Sequence, residues 1–268
     1  GNGKIRLLES EDGTTWTSVA LLEREGIDLR DPKLSVTPDG RLMVLVAGSV
    51  YEKGRFLNRN CYVSFATDPR SPGELTPVEI DARVSDRTDW LWRMTWHAGK
   101  AWGVVYNKGR FGRSLHLVSS TNGIRYDLVA SLDVKDFPNE CDIVFEPEGA
   151  MVIVARRDAG DRMGMIGRAV PPYTDWTWNR LNTALGGPAM YRLNRGTLLL
   201  GTREPGRAPK TVLGSVALDG AFTKLLELPS GGDTSYPGLV LDGRTLWMSY
   251  YSSHEGKSSI YLARIEVQ

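Results

Sequence analysis

A hairpin pattern recurs five times along the chain, and no other feature constrains the fold so tightly. A short strand, a tight turn containing glycine and an apolar strand occupy residues 29–47, 91–106, 140–156, 188–203 and 236–250. The turn glycines are Gly40, Gly99, Gly149, Gly196 and Gly243, separated by 59, 50, 47 and 47 residues. Glycine supplies the positive φ that tight hairpin turns require, a conformation most other residues adopt only with strain. A repeat of roughly 40 to 50 residues built on hairpins is the signature of propeller blades.

An alternating strand follows each hairpin, with a polar turn and a short edge strand behind it. These third strands lie at residues 61–67, 115–120, 163–169, 211–218 and 259–265, and the same element opens the chain at residues 4–10. Six third strands therefore accompany five inner hairpins. An open ring would leave strand edges unpaired, which is costly and aggregation-prone. The expectation is an all-β, six-bladed β-propeller, one domain over residues 1–268, whose first blade lacks its inner hairpin. The missing segment, roughly 40 residues by the repeat length, would precede Gly1 in a longer parent. A five-bladed ring closed by the N-terminal strands is the alternative. No long stretch of period 3.6 predicts a helix.

Charge excludes some functions. The 33 basic and 32 acidic residues leave a net charge of +1 with no basic block, so nucleic acid is not an implied partner. No apolar run reaches the length of a membrane span. Residues 1–4 do not read as a signal peptide. Cys61 and Cys141 each sit in an apolar run and read as two buried thiols. The compartment stays open, with a secreted or periplasmic location favoured, and the oligomeric state is not readable. His97, His116 and His254 show no metal-ligand spacing. No phosphate loop or serine nucleophile elbow occurs, so neither cofactor nor metal is expected.

In a propeller, the start of each inner strand and the end of the next gather at one mouth. Those positions carry Arg30 and Asp31, Trp92 and Arg93, Glu140 and Asp142, Pro188, and Tyr236 before the turns. Arg156 and Arg203 follow their turn glycines at one common offset, where two other repeats carry Tyr106 and Tyr250. Arginines suit a carboxylate ligand because the guanidinium fork binds it bidentately. Each could instead pair with a neighbour, as Arg30 with Asp31 or Arg203 with Glu204. His254, in a loop after the last hairpin, is a further candidate contact. Many of the eight Trp and ten Tyr serve core packing, although such rings also stack on sugars.

Several segments resemble the sialidase (neuraminidase) superfamily of Asp-box (BNR repeat) propellers. Residues 10–16, Ser-Glu-Asp-Gly-Thr-Thr-Trp, resemble the Asp-box with one residue fewer between Asp and Gly, and residues 120–126 form a weaker copy. In this box Ser and Asp cap the turn and the aromatic packs between sheets, a structural rather than catalytic role. Residues 139–145 with Gly149 and Arg156 resemble the sialidase segment bearing an activating glutamate and a clamp arginine. Arg203 is placed like a further clamp. Residues 235–239 and 260–264 resemble the final sialidase blade, and residues 29–34 the R-I-P motif with Asp for Ile.

The resemblance implies Tyr236 as nucleophile, Glu140 as its base, and Arg156 and Arg203 as holders of a substrate carboxylate. Sialic acid carries that carboxylate on its anomeric carbon, where a neutral tyrosine avoids like-charge repulsion. The implied partner is a carbohydrate, a sialoside or another acidic glycan. The acid/base residue is unassigned, with Asp31 the candidate and Asp142 a weaker one. Arg30, Arg93, Trp92, Tyr250 and His254 complete the expected binding set. Two other readings remain open: a propeller glycosidase pairing Asp31 with Glu140, with Tyr236 only lining the pocket, and a non-catalytic sugar-binding propeller.

Overall fold

The computed structural model of the chain describes residues 2–107 and 114–267. They fall into two compact units, Gly1–Leu132 and Asp133–Gln268. In the first, β1 (Ile5–Glu9) and β2 (Thr17–Leu22) pair only with each other. Strands β3 (Asp28–Val36), β4 (Leu42–Glu52), β5 (Arg55–Ala66) and β6 (Thr76–Pro77) follow as one antiparallel blade in sequence order. The next blade contains β7 (Glu79–Ile80), β8 (Trp90–His97), β9 (Lys100–Tyr106), β10 (Leu115–Ser120) and β11 (Arg125–Leu132), in the order β7-β11-β10-β9-β8.

The second unit holds three blades. Strands β12 (Pro138–Phe145), β13 (Met151–Arg157), β14 (Met163–Ala169) and β15 (Thr177–Ala184) form one, again in sequence order. Strands β16 (Ala189–Arg192), β17 (Leu198–Glu204), β18 (Lys210–Val216) and β19 (Phe222–Glu227) form another. Strands β20 (Thr234–Asp242), β21 (Thr245–Ser252) and β22 (Ser259–Glu266) make a three-stranded last blade.

Five blades therefore stand where six were expected. The sixth was counted from an outer strand, β1, which finds only β2 as a partner, whereas each of the five inner hairpins builds a blade. No helix occurs among the described residues, and none there is long and apolar enough to cross a membrane.

Central strands are buried on both faces, so they read as continuous apolar runs rather than alternating ones. Met151 to Ala155 on β13 are all fully buried, as are Val44 and Val46 on β4. Each such aliphatic side chain contributes about 1.5–3 kcal/mol of burial. Cys61 and Cys141 are buried free thiols within these layers.

Four of the five turn glycines take the left-handed backbone: φ is 81° at Gly40, 75° at Gly99, 87° at Gly149 and 57° at Gly243. Gly196 does not. Its turn is closed by the Asn194 side chain, which accepts a hydrogen bond from the Gly196 amide at 2.9 Å. In the turn after β1, Ser10 Oγ accepts from the Gly13 amide at 2.8 Å, and Asp12 Oδ1 from the Thr14 and Thr15 amides at 2.7 Å each. Ser120 and Asn122 repeat this pattern after β10. The two aromatics differ: Tyr126 is fully buried, but Trp16 is 47% exposed. Trp16 was expected between sheets. It instead caps its own turn, with Nε1 donating to Gly13 O at 3.2 Å.

One irregularity recurs at the start of the inner hairpins. Register slips so that two residues oppose one: Asp31-Pro32 face Val46, Trp92-Arg93 face Val104, Asn139-Glu140 face Arg156, and Tyr236-Pro237 face Tyr250. Such bulges bend a strand and re-aim a side chain. Asp31 and Tyr236 hold the left-handed conformation there, with φ of 50° and 54°. Both precede proline, and both are non-glycine, so the conformation is strained.

Candidate functional site

The bulge on β12 turns Glu140 into the interior of the second unit, where it is 5% exposed. A buried carboxylate must be hydrogen-bonded to be tolerated, and this one has three donors. The Tyr236 hydroxyl donates to Oε1 at 2.9 Å. Arg156 Nη1 and the Gly187 amide donate to Oε2 at 2.8 and 2.9 Å. Arg156 is in turn fixed by Asp158, with Nε and Nη2 each 3.0 Å from Oδ1. Asn139 Nδ2 holds the other Asp158 oxygen at 2.8 Å. Burial works against the Arg156 charge, but Glu140 beside it overrides burial and holds the guanidinium above the ordinary arginine range.

The tyrosine is positioned by a glycine pair. Gly187, with φ of 60°, lies against the Tyr236 ring so closely that a Cβ there would overlap it. Gly186 lies likewise against Arg203, a Cβ falling 2.7 Å from Nε. Its carbonyl accepts from Ser235 Oγ at 2.7 Å and from the Arg203 amide at 3.0 Å. The segment from Gly186 to Gly187 thus seats Glu140, Arg203 and Tyr236 at once. Tyr251 packs its ring 5.7 Å from that of Tyr236 and donates to Asp233 Oδ1 at 2.8 Å. Arg203 Nη1 lies 3.8 Å from the same oxygen.

Glu140, Arg156 and Tyr236 therefore come together, with Arg203 joined to Tyr236 through Asp233 and Tyr251. The chemistry open to this group is specific. A phenol aimed at a carboxylate oxygen can release its proton there as the phenol oxygen attacks. An arginine and an amide on the second carboxylate oxygen keep that acceptor in place.

The other candidates in this unit have partners of their own. Tyr250 is 4% exposed, stacks on Tyr261 at 5.5 Å and gives its hydroxyl to Pro229 O, so its ring belongs to the core rather than to a ligand surface. Tyr251, its neighbour on the opposite face of β21, is the tyrosine that packs against Tyr236. His254 has Ser252 and Tyr261 as partners, its Nδ1 2.9 Å from Ser252 Oγ and its ring 4.7 Å from that of Tyr261. Asp142 is buried, accepting from the Met190 amide at 2.7 Å and from its own neighbour Ile143 at 2.9 Å, a backbone-bracing role. Arg203 does not pair with Glu204, which pairs with Lys224.

Arg30, Asp31, Trp92 and Arg93 belong to the first unit. Arg30 pairs with Asp28 rather than Asp31, its Nε and Nη2 lying 2.8 and 2.5 Å from Oδ2. Asp28 Oδ1 also accepts from the Gly3 amide at 2.7 Å. Burial alone would raise the Asp28 pKa, but the Gly3 amide and Arg30 outweigh it and hold the carboxyl below its ordinary value. The Asp31 carbonyl accepts from Lys33 Nζ at 3.0 Å. Trp92 is 1% exposed, under Lys33 at 4.2 Å, so it packs the blade and presents no face to a ligand. Arg93 is half-buried on β8.

Gly186, Gly187, Asp158 and Tyr251 were not anticipated. The Gly-Gly-Pro run at 186–188 was the available signal for the first two. Among the described residues, no group of three or more His, Cys, Asp or Glu side chains is arranged to hold a metal ion.

No protein-family model and no curated protein sequence matches the chain. Solved structures do. A protein of unknown function from Dyadobacter fermentans is similar at a TM-score of 0.82 and 19% identity, over 98% of this chain and 84% of that one. A Hadza microbial sialidase follows at 0.70 and 15%, over 96% of this chain and 58% of that one. The α-L-arabinofuranosidase of Fusarium graminearum, in complex with an iminosugar inhibitor, gives 0.65 and 14%, over 99% and 86%. At these identities the likeness shows the fold, an all-β propeller.

Proposed function

We propose that the chain is an exo-acting glycoside hydrolase of sialidase type, releasing a terminal acidic sugar. The observation that carries this reading is the 2.9 Å hydrogen bond from Tyr236 to Glu140, with Arg156 on the other carboxylate oxygen. The fold likeness to a microbial sialidase supports it. Tyrosine nucleophiles are a known exception to the two-carboxylate scheme of glycosidases.

In the first step the Tyr236 oxygen bonds to the anomeric carbon and its proton passes to Glu140. The glycosidic carbon–oxygen bond breaks, and the leaving oxygen takes its proton from solvent water. In the second step water attacks the same carbon and releases its proton to solvent, the tyrosyl bond breaks, and Glu140 returns its proton to the Tyr236 oxygen. A neutral phenol approaches a carbon bearing a carboxylate without the repulsion a carboxylate nucleophile would meet. Arg203, with its guanidinium partly exposed and only a long contact to Asp233, is the side chain in this unit suited to hold the substrate carboxylate. Arg156, committed to Glu140 and Asp158, serves mainly to fix the base.

A second reading has its own support. Asp31 occupies a strained bulge like that of Tyr236, and the fold likeness to an α-L-arabinofuranosidase supports a glycosidase acting on another sugar, for which paired carboxylates are the usual chemistry. One experiment separates the readings. Tyr236→Phe and Asp31→Asn are assayed on an aryl sialoside and an aryl arabinofuranoside. Under the proposed function, Tyr236→Phe lowers sialoside turnover by roughly a thousandfold or more, the scale of losing a nucleophile. Retained activity in Tyr236→Phe with its loss in Asp31→Asn assigns the two-carboxylate chemistry. Sugar binding with no turnover by the unmodified protein assigns a lectin-like role and overturns both.

A further inference from the structure

Strands β4 and β5 have 11 and 12 residues, against 7 in each of β13 and β14, and so extend their hairpin beyond the length the blade needs. Lys53 and Gly54, with φ of 47° and 80°, close it in a tight two-residue turn. Its stem carries Tyr51 opposite Phe56, with rings 5.8 Å apart edge to face, and Ser49 opposite Arg59. Phe56 is 37% exposed. The Arg59 guanidinium lies 4.1 Å from the Trp90 ring and 5.2 Å from that of Phe56. Its Nε donates to Ser49 Oγ at 3.2 Å.

Among the described residues, no carboxylate forms an ion pair with Arg59. Asp28 is the acid of its cross-strand row, through Ser49. But Asp28 is filled by Arg30 and the Gly3 amide. Burial pulls the Arg59 pKa below the ordinary arginine value, the sign of a charge taken from water with little in exchange. Arg30 adds a second cation over Tyr51, at 5.9 Å, with its side chain 52% exposed. Arg30 keeps Asp28 as its counter-ion, whereas a partly buried cation without one, as Arg59 is, is costly. A fork donor between aromatic faces fits one ligand class: a carboxylate attached to a ring with apolar C–H faces.

We propose that this hairpin is an acidic-sugar subsite, in which Arg59, assisted by Arg30, binds a sugar carboxylate while Phe56 and Tyr51 stack on the ring. That the anion is carried by a sugar rests on the functional reading above; the anion site itself does not.

The test is an NMR titration of the full chain, followed at the Arg59 Nε–H and Trp90 Nε1–H resonances. Sodium glucuronate should shift both saturably. Glucose at equal concentration should not, and added salt should weaken the effect. Arg59→Gln should lower glucuronate affinity roughly ten- to hundredfold, read at Trp90, as expected for a lost charge-assisted hydrogen bond. Phe56→Ala, at an exposed position that does not support the core, should lower affinity severalfold and serves if Arg59→Gln fails to fold. Absence of a glucuronate shift overturns the proposal. Acetate or inorganic phosphate binding as tightly as glucuronate overturns its sugar part. Loss of sialoside turnover with these shifts intact counts against the hydrolase reading alone, and the reverse pattern against the subsite alone.

Discussion

The Tyr236 hydroxyl and the Glu140 carboxylate, 96 residues apart in the chain, meet at 2.9 Å. Each is carried by a bulge at the start of its inner strand, β20 and β12. Their contact is a product of blade packing within one unit, and it makes the roles of both residues separable by experiment.

Glu140→Gln keeps an oxygen for the Tyr236 hydroxyl but removes the proton acceptor. Turnover of an aryl sialoside should fall about 10²–10⁴-fold in kcat with KM little changed, the usual range for a general base. Asp158 still pairs with Arg156 in the variant, so the protein should stay folded. Unchanged kcat would remove Glu140 from the mechanism.

Gly187→Ala places a methyl group where the Tyr236 ring lies and imposes a left-handed φ on alanine. The ring must move while the Gly187 amide also shifts from Glu140. We expect kcat to fall at least tenfold, by the sensitivity of reacting groups to displacements of about 1 Å. The circular dichroism spectrum should keep its β-sheet form. Steady-state kinetics beside that spectrum decide the matter.

Asp28→Asn tests the first unit by pH. The folded pKa of Asp28 lies below its unfolded value of about 3.9. Its ionised form therefore stabilises the fold above pH ~4, and that contribution is lost as pH falls through the folded value. At pH 7 the variant should be less stable by about 1–3 kcal/mol, the cost of weakening hydrogen bonds to a buried charged group. The gap between the two proteins in urea denaturation should narrow as pH is lowered towards 3. A gap constant with pH would show that the Asp28 charge contributes nothing.

Burial pushes the Cys61 thiol up to about 12 and raises Cys141 as well. Both should stay protonated and closed to reagent at pH 8. Ellman's reagent should label neither in the native protein and two thiols in denaturant. Rapid native labelling of either would show that its layer opens.

The repeat made much of this legible. Turn glycines located all five hairpins, and strands β10 and β14 begin and end where the sequence put them. Tyr236 and Glu140 stood out because both lie at the start of an inner strand, in segments that resemble sialidase ones. What stayed hidden depends on side-chain direction. The residue facing each bulge is Arg156 on β13 but Tyr250 on β21; the long guanidinium reaches out to Glu140, whereas the phenol ring stays in the core. Tyr251 was missed for that reason. Asp28 was missed because it reaches Arg30 across a strand residue rather than as its immediate neighbour. The blade number was misread because an outer strand does not reveal in its sequence whether an inner hairpin accompanies it.

The two-for-one bulge leaves the surrounding ladder of backbone bonds in register on both sides, whichever side chains it displays. Here the same slot holds Asp-Pro, Trp-Arg, Asn-Glu and Tyr-Pro in four blades. A scaffold of this type can exchange one dipeptide without rebuilding its hairpin. Reaction chemistry can thus diverge among propellers faster than their architecture, with each blade free to trial a new pair of residues.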